Sequence, residues 1–459
     1  MQSNNIFNKI SQSQRRKQGV HFIGIGGIGV SALAQYYLAM GHKISGSDLA
    51  SSEITELLRK KGAEIFITNP KSKIQNPKLQ SKIKNADLVI YSPAVRKDHP
   101  ELLAASRYKL ETMSYPQALG ELTKKYFTIA VSGTHGKSTT TAMIALILVK
   151  SGLDPAVIVG TKLKEFGNSN FRTGKSKYLA IEADEHMASF LNYWPKIIVL
   201  TNIDKDHLDY YKNLKNILKS FKKYVSHLSK DGVLVANKDD INISKLKTQI
   251  SKLQFKTQNY SLKQREANIL RRILKIPGEH NVSNALAALT TARVLCVPDK
   301  ISFKALSEFR GSWRRFEERH ITWNKKYLTI VSDYAHHPTE VLATLKAARK
   351  KYPKKRIWCV FQPHQYQRTH YLFKDFIKVF KEALTYIDRV IITDIYDVAG
   401  RENKEVKKKV SGKKLVEAVR KPKAIYLPKD SVLGYAKDNF PNRGVLVIMG
   451  AGDIYMLGR

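Results

Sequence analysis

The sequence predicts an α/β protein of three domains, and three observations lead there. Two strand–glycine turn–helix segments lie about a hundred residues apart, and in the last 140 or so residues short apolar runs end repeatedly in histidine, arginine or glycine turns. The expected layout is a disordered basic arm (1–19), an N-terminal Rossmann-like domain (20–117), a central P-loop domain on a parallel sheet (118–318) and a C-terminal Rossmann-like domain (319–459).

The first segment is "HFIGIGGIGVSA", His21 to Ala32. "VHFIGIG" reads as a short buried strand and "VSALAQYYLAMG" as a helix closed by Gly41, so Gly24, Gly26 and Gly29 meet the G-x-G-x-x-G pattern in its required context. Glycines let backbone approach a pyrophosphate, and the helix N-terminus supplies free N–H groups. "HKISGSD" adds a second strand ending in Asp48, and "ADLVIYSPAV" a later one. Taken alone, this loop makes NAD the default ligand.

The second segment, "AVSGTHGKSTTTAM", departs from the usual G-x-x-x-x-G-K-[ST] loop: Val131 stands where the first glycine belongs, and the glycine is Gly133. "YFTIAVSG" still reads as a strand and "KSTTTAMIALILVKSG" as a helix. Backbone N–H groups from Gly133 to Lys137 can therefore wrap phosphates, Lys137 can reach a transferred phosphoryl group, and the Ser138 hydroxyl can bind Mg²⁺. Two clusters follow predicted strands: Glu182, Asp184 and Glu185, then Asp204, Asp206, His207 and Asp209. Carboxylates at strand C-termini beside a P-loop suit Mg²⁺, with His207 completing a second metal site.

Downstream, "IPGEHNVSNALAALTTARVL" breaks at Pro277 and Gly278 and starts a helix near Asn281, so that Asn281 and Asn284 read a base or ribose, or cap the helix. "GSWRRFEERH" offers Arg314 and Arg315 to phosphate or base. "VSDYAHHPTEV" puts Asp333, His336 and His337 after a strand, "WCVFQPHQYQRTHYLF" puts His364 and Arg368 after another, and "VLVIMGAGDI" closes the unit with a strand and glycine turn.

Composition narrows the function. The 459 residues carry 79 basic and 39 acidic side chains, a formal charge of +40. Most of the excess is lysine on solvated helix faces. In "YKNLKNILKSFKKYV" a stripe of Leu214, Ile217, Leu218, Phe221 and Val225 leaves the lysines outside. No nucleic-acid-binding motif accompanies the charge, so no specific nucleic-acid partner is expected; the positive field helps gather phosphorylated substrates. The longest apolar run, Met143 to Val149, is too short to span a bilayer. "RRK" at 15–17 suggests a twin-arginine signal, but the glycine-spaced stretch after it reads as strand, turn and helix. The two cysteines, Cys296 and Cys359, form no C-x-x-C pair and fit a reducing compartment.

In order, "GIGGIGVS", "GSD", "SGTHGKSTTT", "EADE", "TNIDKDHLD", "PGEHNVSNALAA", "RRFE", "DYAHHPTE", "FQPHQYQRT" and "MGAGDI" cover residues 21 to 454. This series resembles the Mur ligases, whose usual loop is G-T-x-G-K-[ST]-T, which accounts for the displaced glycine. Within the family the likeness is to the enzymes that join L-alanine to the muramate carboxylate of UDP-N-acetylmuramate, using ATP and an acyl-phosphate intermediate, in cytoplasmic peptidoglycan precursor synthesis. The resemblance implies that the first loop holds the UDP-sugar and the second ATP, with two Mg²⁺ ions, in a monomer or homodimer without membrane contact.

Carried over residue by residue, Gly24, Gly26, Gly27, Gly29, Ser31 and Asp48 match the UDP-sugar site, joined by Tyr334, His336, His337, His364 and Arg368 at the muramate end. Gly133, Thr134, His135, Gly136, Lys137, Ser138, Thr139, Asn281, Arg315 and Asp333 match ATP contacts. Ser138, Glu182 and His207 match metal ligands, and Lys137, Glu182, His207, His336 and Arg368 the catalytic group. Three departures from the family pattern stand out: His186 and Met187 stand for an expected Ser-Asp pair, Gln365 for an arginine near the substrate, and Ala335 for a glycine. Sister ligases use a carbamylated lysine, for which spacing offers Lys222.

Three other readings compete. The ligase that attaches a ready-made tripeptide to UDP-muramate shares the motif order, although the regular "GIGGIG" favours the amino-acid enzyme. An NAD-dependent oxidoreductase explains the first loop and leaves the P-loop idle. A nucleic-acid-binding NTPase explains only the charge.

Overall fold

The computed structural model describes residues 17–69, 74, 76–323, 326–398 and 404–458. Most of the N-terminal arm expected over 1–19 therefore lies outside the described residues.

The first sheet contains β1 (Gly19–Ile23), β2 (Lys43–Asp48), β3 (Glu64–Ile67), β4 (Leu88–Tyr91) and β5 (Glu111–Ser114) in the order β3-β2-β1-β4-β5, all parallel. Strand order reverses between β1 and β4, which opens a crevice at the C-terminal end of β1 where the first glycine loop begins. The second sheet has β6 (Phe127–Ser132), β7 (Ala156–Leu163), β8 (Ser169–Arg172), β9 (Tyr178–Glu182), β10 (Ile197–Leu200), β11 (Val233–Asn237) and β12 (Lys256–Tyr260), ordered β12-β11-β10-β6-β9-β7-β8. The P-loop leaves β6, between β10 and β9, so the ends of all three strands surround it. The third sheet has β13 (Glu317–Trp323), β14 (Lys326–Asp333), β15 (Ile357–Phe361), β16 (Arg389–Ile392), β17 (Ala424–Tyr426) and β18 (Val445–Met449), ordered β13-β14-β18-β15-β16-β17.

Strands buried on both faces read as unbroken apolar runs: every residue of β10, β15 and β18 is buried. The sequence led us to expect a parallel central sheet, but one pair in it is antiparallel. β8 runs antiparallel to β7, because the connection through Lys164–Phe166 and Gly167 is far shorter than a parallel crossover needs. β13 is likewise antiparallel to β14. The expected boundary at 117/118 falls within the helix Tyr115–Lys125, and that at 318/319 within β13. In the helix Leu214–Val225, Ile217, Phe221 and Val225 are buried, as the stripe predicts. Lys222 is exposed on the outer face, which removes it as a carbamylation candidate beside the P-loop. Among the described residues no helix is long and apolar enough to cross a membrane.

The first two sheets share one continuous core, in which Val20, Leu33 and Ile90 belong to the same cluster as Ala130, Ile158 and Ile181. A buried polar network fastens the same junction. Gln35 Nε2 donates to Asn170 Oδ1 (2.7 Å), Asn170 Nδ2 donates to Ser31 Oγ (2.9 Å) and to the Ile28 carbonyl, and Lys61 Nζ donates to Gln35 Oε1 (2.6 Å). The third sheet packs its own core and meets the second mainly through polar side chains around the site.

Candidate functional site

A cleft of about 640 Å³ runs from the first glycine loop (Gly27, Gly29) past the P-loop (Gly136, Lys137, Ser138) to Tyr334, His336, His364 and Arg368 of the third domain. A smaller cavity of about 360 Å³ lies on the other side of the P-loop, lined by Thr139, Asn202, Asn281, Asn284, Arg315 and Asp333. Gly136, Arg315 and Glu340 border both.

The P-loop is shaped by its contacts with the end of β10. Thr134 N donates to the Asn202 carbonyl (3.1 Å), His135 N to Asn202 Oδ1 (2.8 Å), and Thr201 Oγ1 to the His135 carbonyl (2.6 Å). Gly133 (φ +132°) and Gly136 (φ +83°) supply backbone that other residues rarely adopt, and a Cβ on either would strike Thr201 or Asn284. Lys137 folds back over the loop, donating to the Gly133 carbonyl (2.8 Å) and pairing with Glu185 (2.8 Å) and Asp184 (3.5 Å). Burial opposes its charge, but the carboxylates around it outweigh burial and hold the ammonium well above the usual lysine range. Burial pushes Glu185 up to about 7 despite Lys137, and its Oε1 is buried without a hydrogen-bond partner.

The metal-type ligands fall into two neighbouring groups. Ser138 Oγ donates to Glu182 Oε2 (2.8 Å), which also accepts from Gly160 N (2.9 Å). His207 groups with Asp184 and Glu185 rather than with Glu182; ligand atoms of these three lie within 4.8 Å of one another. Burial depresses His207 to about 3, its ring packs tilted against His186 (4.3 Å between centroids), and its backbone sits at φ +50°. A strained, neutral imidazole beside two carboxylates is a suitable ligand geometry. The donor set of hydroxyl, carboxylates and one imidazole, with an orphaned buried carboxylate oxygen, fits Mg²⁺.

From the third domain, Arg368 forms a buried pair with Asp206 (Nε–Oδ1 3.0 Å) and reaches His207 Nδ1 (3.5 Å). His336 is held neutral, at about 4, by burial and then by Arg368. Arg315 stacks over Tyr334 (5.1 Å) and pairs loosely with Glu340 (3.9 Å). Asp333 accepts from Phe316 N and Ala335 N (both 2.8 Å), so its carboxylate also shapes the loop that lines the smaller cavity.

Several expected residues point elsewhere. Ser31 is fully buried and accepts from Asn170, so its hydroxyl belongs to the interdomain junction rather than to the cleft. Asp48 accepts from Gly26 N (2.7 Å) and Leu49 N (2.7 Å), bracing the glycine loop from behind. His337 turns away from the cleft: its Nε2 meets the Lys205 carbonyl (3.0 Å) and its ring packs on His135 (4.7 Å). His135 itself bridges Asp204 (3.3 Å) and Glu340 (3.2 Å) at the rim of the smaller cavity; burial opposes its charge, but both carboxylates outweigh it and push the ring up to about 9. Gln365 and His186, two of the departures, do line the cleft, while Ala335 is buried beside Asp333.

Sequence reasoning missed Tyr115, whose ring fills the space a Cβ of Gly29 would need, together with Asn202 and Glu340. Glu340 had a usable signal: it stands three residues after His337 at a Pro-initiated helix, a capping-box position, and its carboxylate also meets His135 and His336.

Three domain models of the Mur ligase family match the chain: the family's catalytic domain over residues 19–127, its middle domain over 131–292 and its glutamate ligase domain over 314–452. The UDP-N-acetylmuramate–L-alanine ligase of Acetivibrio thermocellus is 41% identical, the alignment covering 96% of this chain and 94% of that one. The ligase of the same name from Alkaliphilus metalliredigens is 39% identical, over 98% of both chains. Among solved structures, UDP-N-acetylmuramate–alanine ligase from Thermotoga maritima superposes with a TM-score of 0.75 at 27% identity, covering 96% of this chain and 97% of that one. A murein peptide ligase from Psychrobacter arcticus shares the fold, with a TM-score of 0.69 at 23% identity over 96% of this chain and 97% of that one.

Proposed function

The chain belongs to the Mur ligase family, and from that premise we propose that it joins L-alanine to the muramate carboxylate of UDP-N-acetylmuramate at the expense of ATP, in peptidoglycan precursor synthesis in the cytoplasm. The observation that carries this reading is the single cleft connecting a pyrophosphate-type glycine loop to a P-loop lysine and to a third-domain histidine and arginine. A dehydrogenase has no use for the second loop, and a simple NTPase none for the first.

A free carboxylate resists attack by an amine because the leaving group would be oxide. Transfer of the γ-phosphoryl group to the muramate carboxylate gives an acyl phosphate and ADP. The L-alanine amine then attacks the acyl carbon, and the tetrahedral intermediate expels inorganic phosphate and leaves the amide. Charge builds on oxygen in both steps. Lys137, kept protonated by its carboxylates, neutralises the phosphoryl group in transfer. Ser138, Glu182 and His207, with Asp184 and Glu185 beside them, are the residues that would hold Mg²⁺. The bound ion supplies charge neutralisation on phosphate oxygens. His336, neutral at about 4, is too weak a base to serve near neutral pH; its part is to orient the muramate end, with Tyr334, His364 and Arg368. The smaller cavity takes the nucleoside of ATP, with Asn281, Arg315 and Asp333 on its walls. Gly27 and Gly29, where the larger cleft meets the first domain, receive the UDP-sugar pyrophosphate.

Phosphate release measured with UDP-N-acetylmuramate and ATP against L-alanine, L-serine, glycine and the tripeptide tests the proposal. Turnover with L-alanine well above the tripeptide is expected. Turnover with the tripeptide alone assigns the chain to the recycling ligase, and NAD binding without phosphate release sinks the ligase reading.

A further inference from the structure

On the rim of the smaller cavity, away from the groups assigned to Mg²⁺, two imidazoles and a carboxylate converge. His135 Nε2 lies 3.3 Å from Asp204 Oδ2, His337 Nδ1 lies 4.0 Å from the same oxygen, and the ligand atoms of all three fall within 4.8 Å of one another. His337 is buried, His135 is nearly so, and Asp204 opens to solvent, which leaves a path for an ion.

The outer contacts set the ring nitrogens. The far nitrogen of His337, Nε2, meets the Lys205 carbonyl at 3.0 Å, an acceptor that requires N–H there and leaves the Nδ1 lone pair facing Asp204. The far nitrogen of His135, Nδ1, meets Glu340 Oε1 at 3.2 Å, which fixes N–H on that side and turns Nε2 toward Asp204, where an arriving cation displaces the proton shared with that carboxylate. A histidine whose outer nitrogen donates to a carbonyl or carboxylate is the usual arrangement around a ligated metal. Thr339 adds an oxygen: its hydroxyl donates to Asp204 Oδ2 (2.8 Å), while its backbone N–H donates to His337 Nδ1 (3.3 Å), a helix-cap bond that a ligated ion would replace. Ligands about 2.0–2.2 Å from a tetrahedral ion stand roughly 3.4 Å apart; the two rings stand 3.3 Å and 4.0 Å from Asp204 Oδ2, and the two ring nitrogens no more than 4.8 Å from each other.

We propose that His135, Asp204 and His337 form a binding site for a divalent transition-metal ion of the zinc type, separate from the magnesium-type groups. Two imidazoles and one carboxylate favour Zn²⁺, Co²⁺ or Ni²⁺ over Mg²⁺, which prefers oxygen and keeps its waters. His135 and Asp204 come from the P-loop domain and His337 from the third domain, so the ion clasps the two together across the nucleotide cavity.

The test is calorimetric titration of the full chain with Zn²⁺ in excess Mg²⁺, which keeps the oxygen-rich groups filled. One Zn²⁺ per chain is expected, weakened at least tenfold by His337→Ala and by Asp204→Asn, and unchanged by His207→Ala. Because His337 caps a helix, the nearly isosteric Asp204→Asn decides the matter where His337→Ala does not fold; with Co²⁺ as probe, the parent's visible absorption should be lost in that variant. Absence of zinc binding in excess Mg²⁺ overturns the proposal. So does zinc that His207→Ala removes and Asp204→Asn leaves, or zinc indifferent to all three substitutions.

Discussion

Replacing Lys137 with alanine separates what the lysine does for chemistry from what it does for the fold. Its ammonium sits 2.8 Å from Glu185, which is 3% exposed, and 3.5 Å from Asp184. Stripping one partner from a buried pair ordinarily costs about 3–5 kcal/mol, provided the stranded charge stays charged. Here it does not have to. Burial already pushes Glu185 up to about 7 with the lysine present, so near neutral pH the carboxyl takes a proton once the lysine is gone. A carboxyl with a raised pKa costs the fold stability as pH rises from the ordinary carboxylate value to the raised one and no more above it, so most of that cost is already present in the parent at pH 7 and little is added. The remaining loss is the hydrogen bonds to the Gly133 and Thr134 carbonyls, about 1–2 kcal/mol together. Catalysis loses far more: removal of one preorganised charge contact in a transition state costs on the order of 2.7–4 kcal/mol, or 10²–10³ in turnover. Phosphate release should therefore fall at least a hundredfold, while the melting temperature moves by only a few degrees and calorimetric binding of the UDP-sugar is kept. A variant that retains a tenth of its turnover, or that loses its cooperative melt at pH 7, refutes the reasoning.

Two further outcomes follow from the geometry. Gly26→Val should weaken UDP-N-acetylmuramate binding at least tenfold, about 1.4 kcal/mol, and leave ATP binding unchanged in the same calorimeter. The new Cβ would lie 2.9 Å from Asp48 Oδ2 and 3.2 Å from Thr55, so the damage comes through the brace behind the loop rather than through direct contact with phosphate; equal affinity in parent and variant would end that account. His207→Ala should shift the Mg²⁺ titration of phosphate release to higher concentration with little change in melting, and an unmoved midpoint makes His207 a structural residue.

Features written in local chemistry were legible in the sequence. The strand–glycine–helix signatures of both loops, the strand ends carrying Glu182 and His207, and the switch from one α/β unit to the next depend on short-range pattern, and the structure has each of them. What one element presents to another was not legible. Ser31 sits in the right loop, but Asn170, 139 residues further along the chain, claims its hydroxyl. His337 adjoins His336 in sequence, yet it caps a helix and faces His135 while its neighbour faces the cleft. Tyr115 carries no motif at all; it matters because the glycine-loop helix approaches it closely at Gly29. The grouping of His207 with Asp184 and Glu185 instead of Glu182 is set by backbone at φ +50° at His207, and by similar values at Met187 and Ala188, which no propensity would suggest.

The amide network of Gln35 and Asn170 bears on how this protein can be cut. Both side chains are nearly fully buried, and each satisfies the other across the junction of the first two sheets. Severing the chain near residue 126 would take Asn170 away from Gln35, Ser31 and the Ile28 carbonyl, leaving Lys61 on Gln35 Oε1 and the Ser31 hydroxyl on the Ile28 carbonyl, and would uncover the apolar surface beneath them, at the very turn that opens the glycine-loop helix. The sugar-nucleotide half is thus not a detachable module: the smallest portable recognition unit is the first two domains together, and the natural site for excision lies at the linker before β13, where the third domain begins.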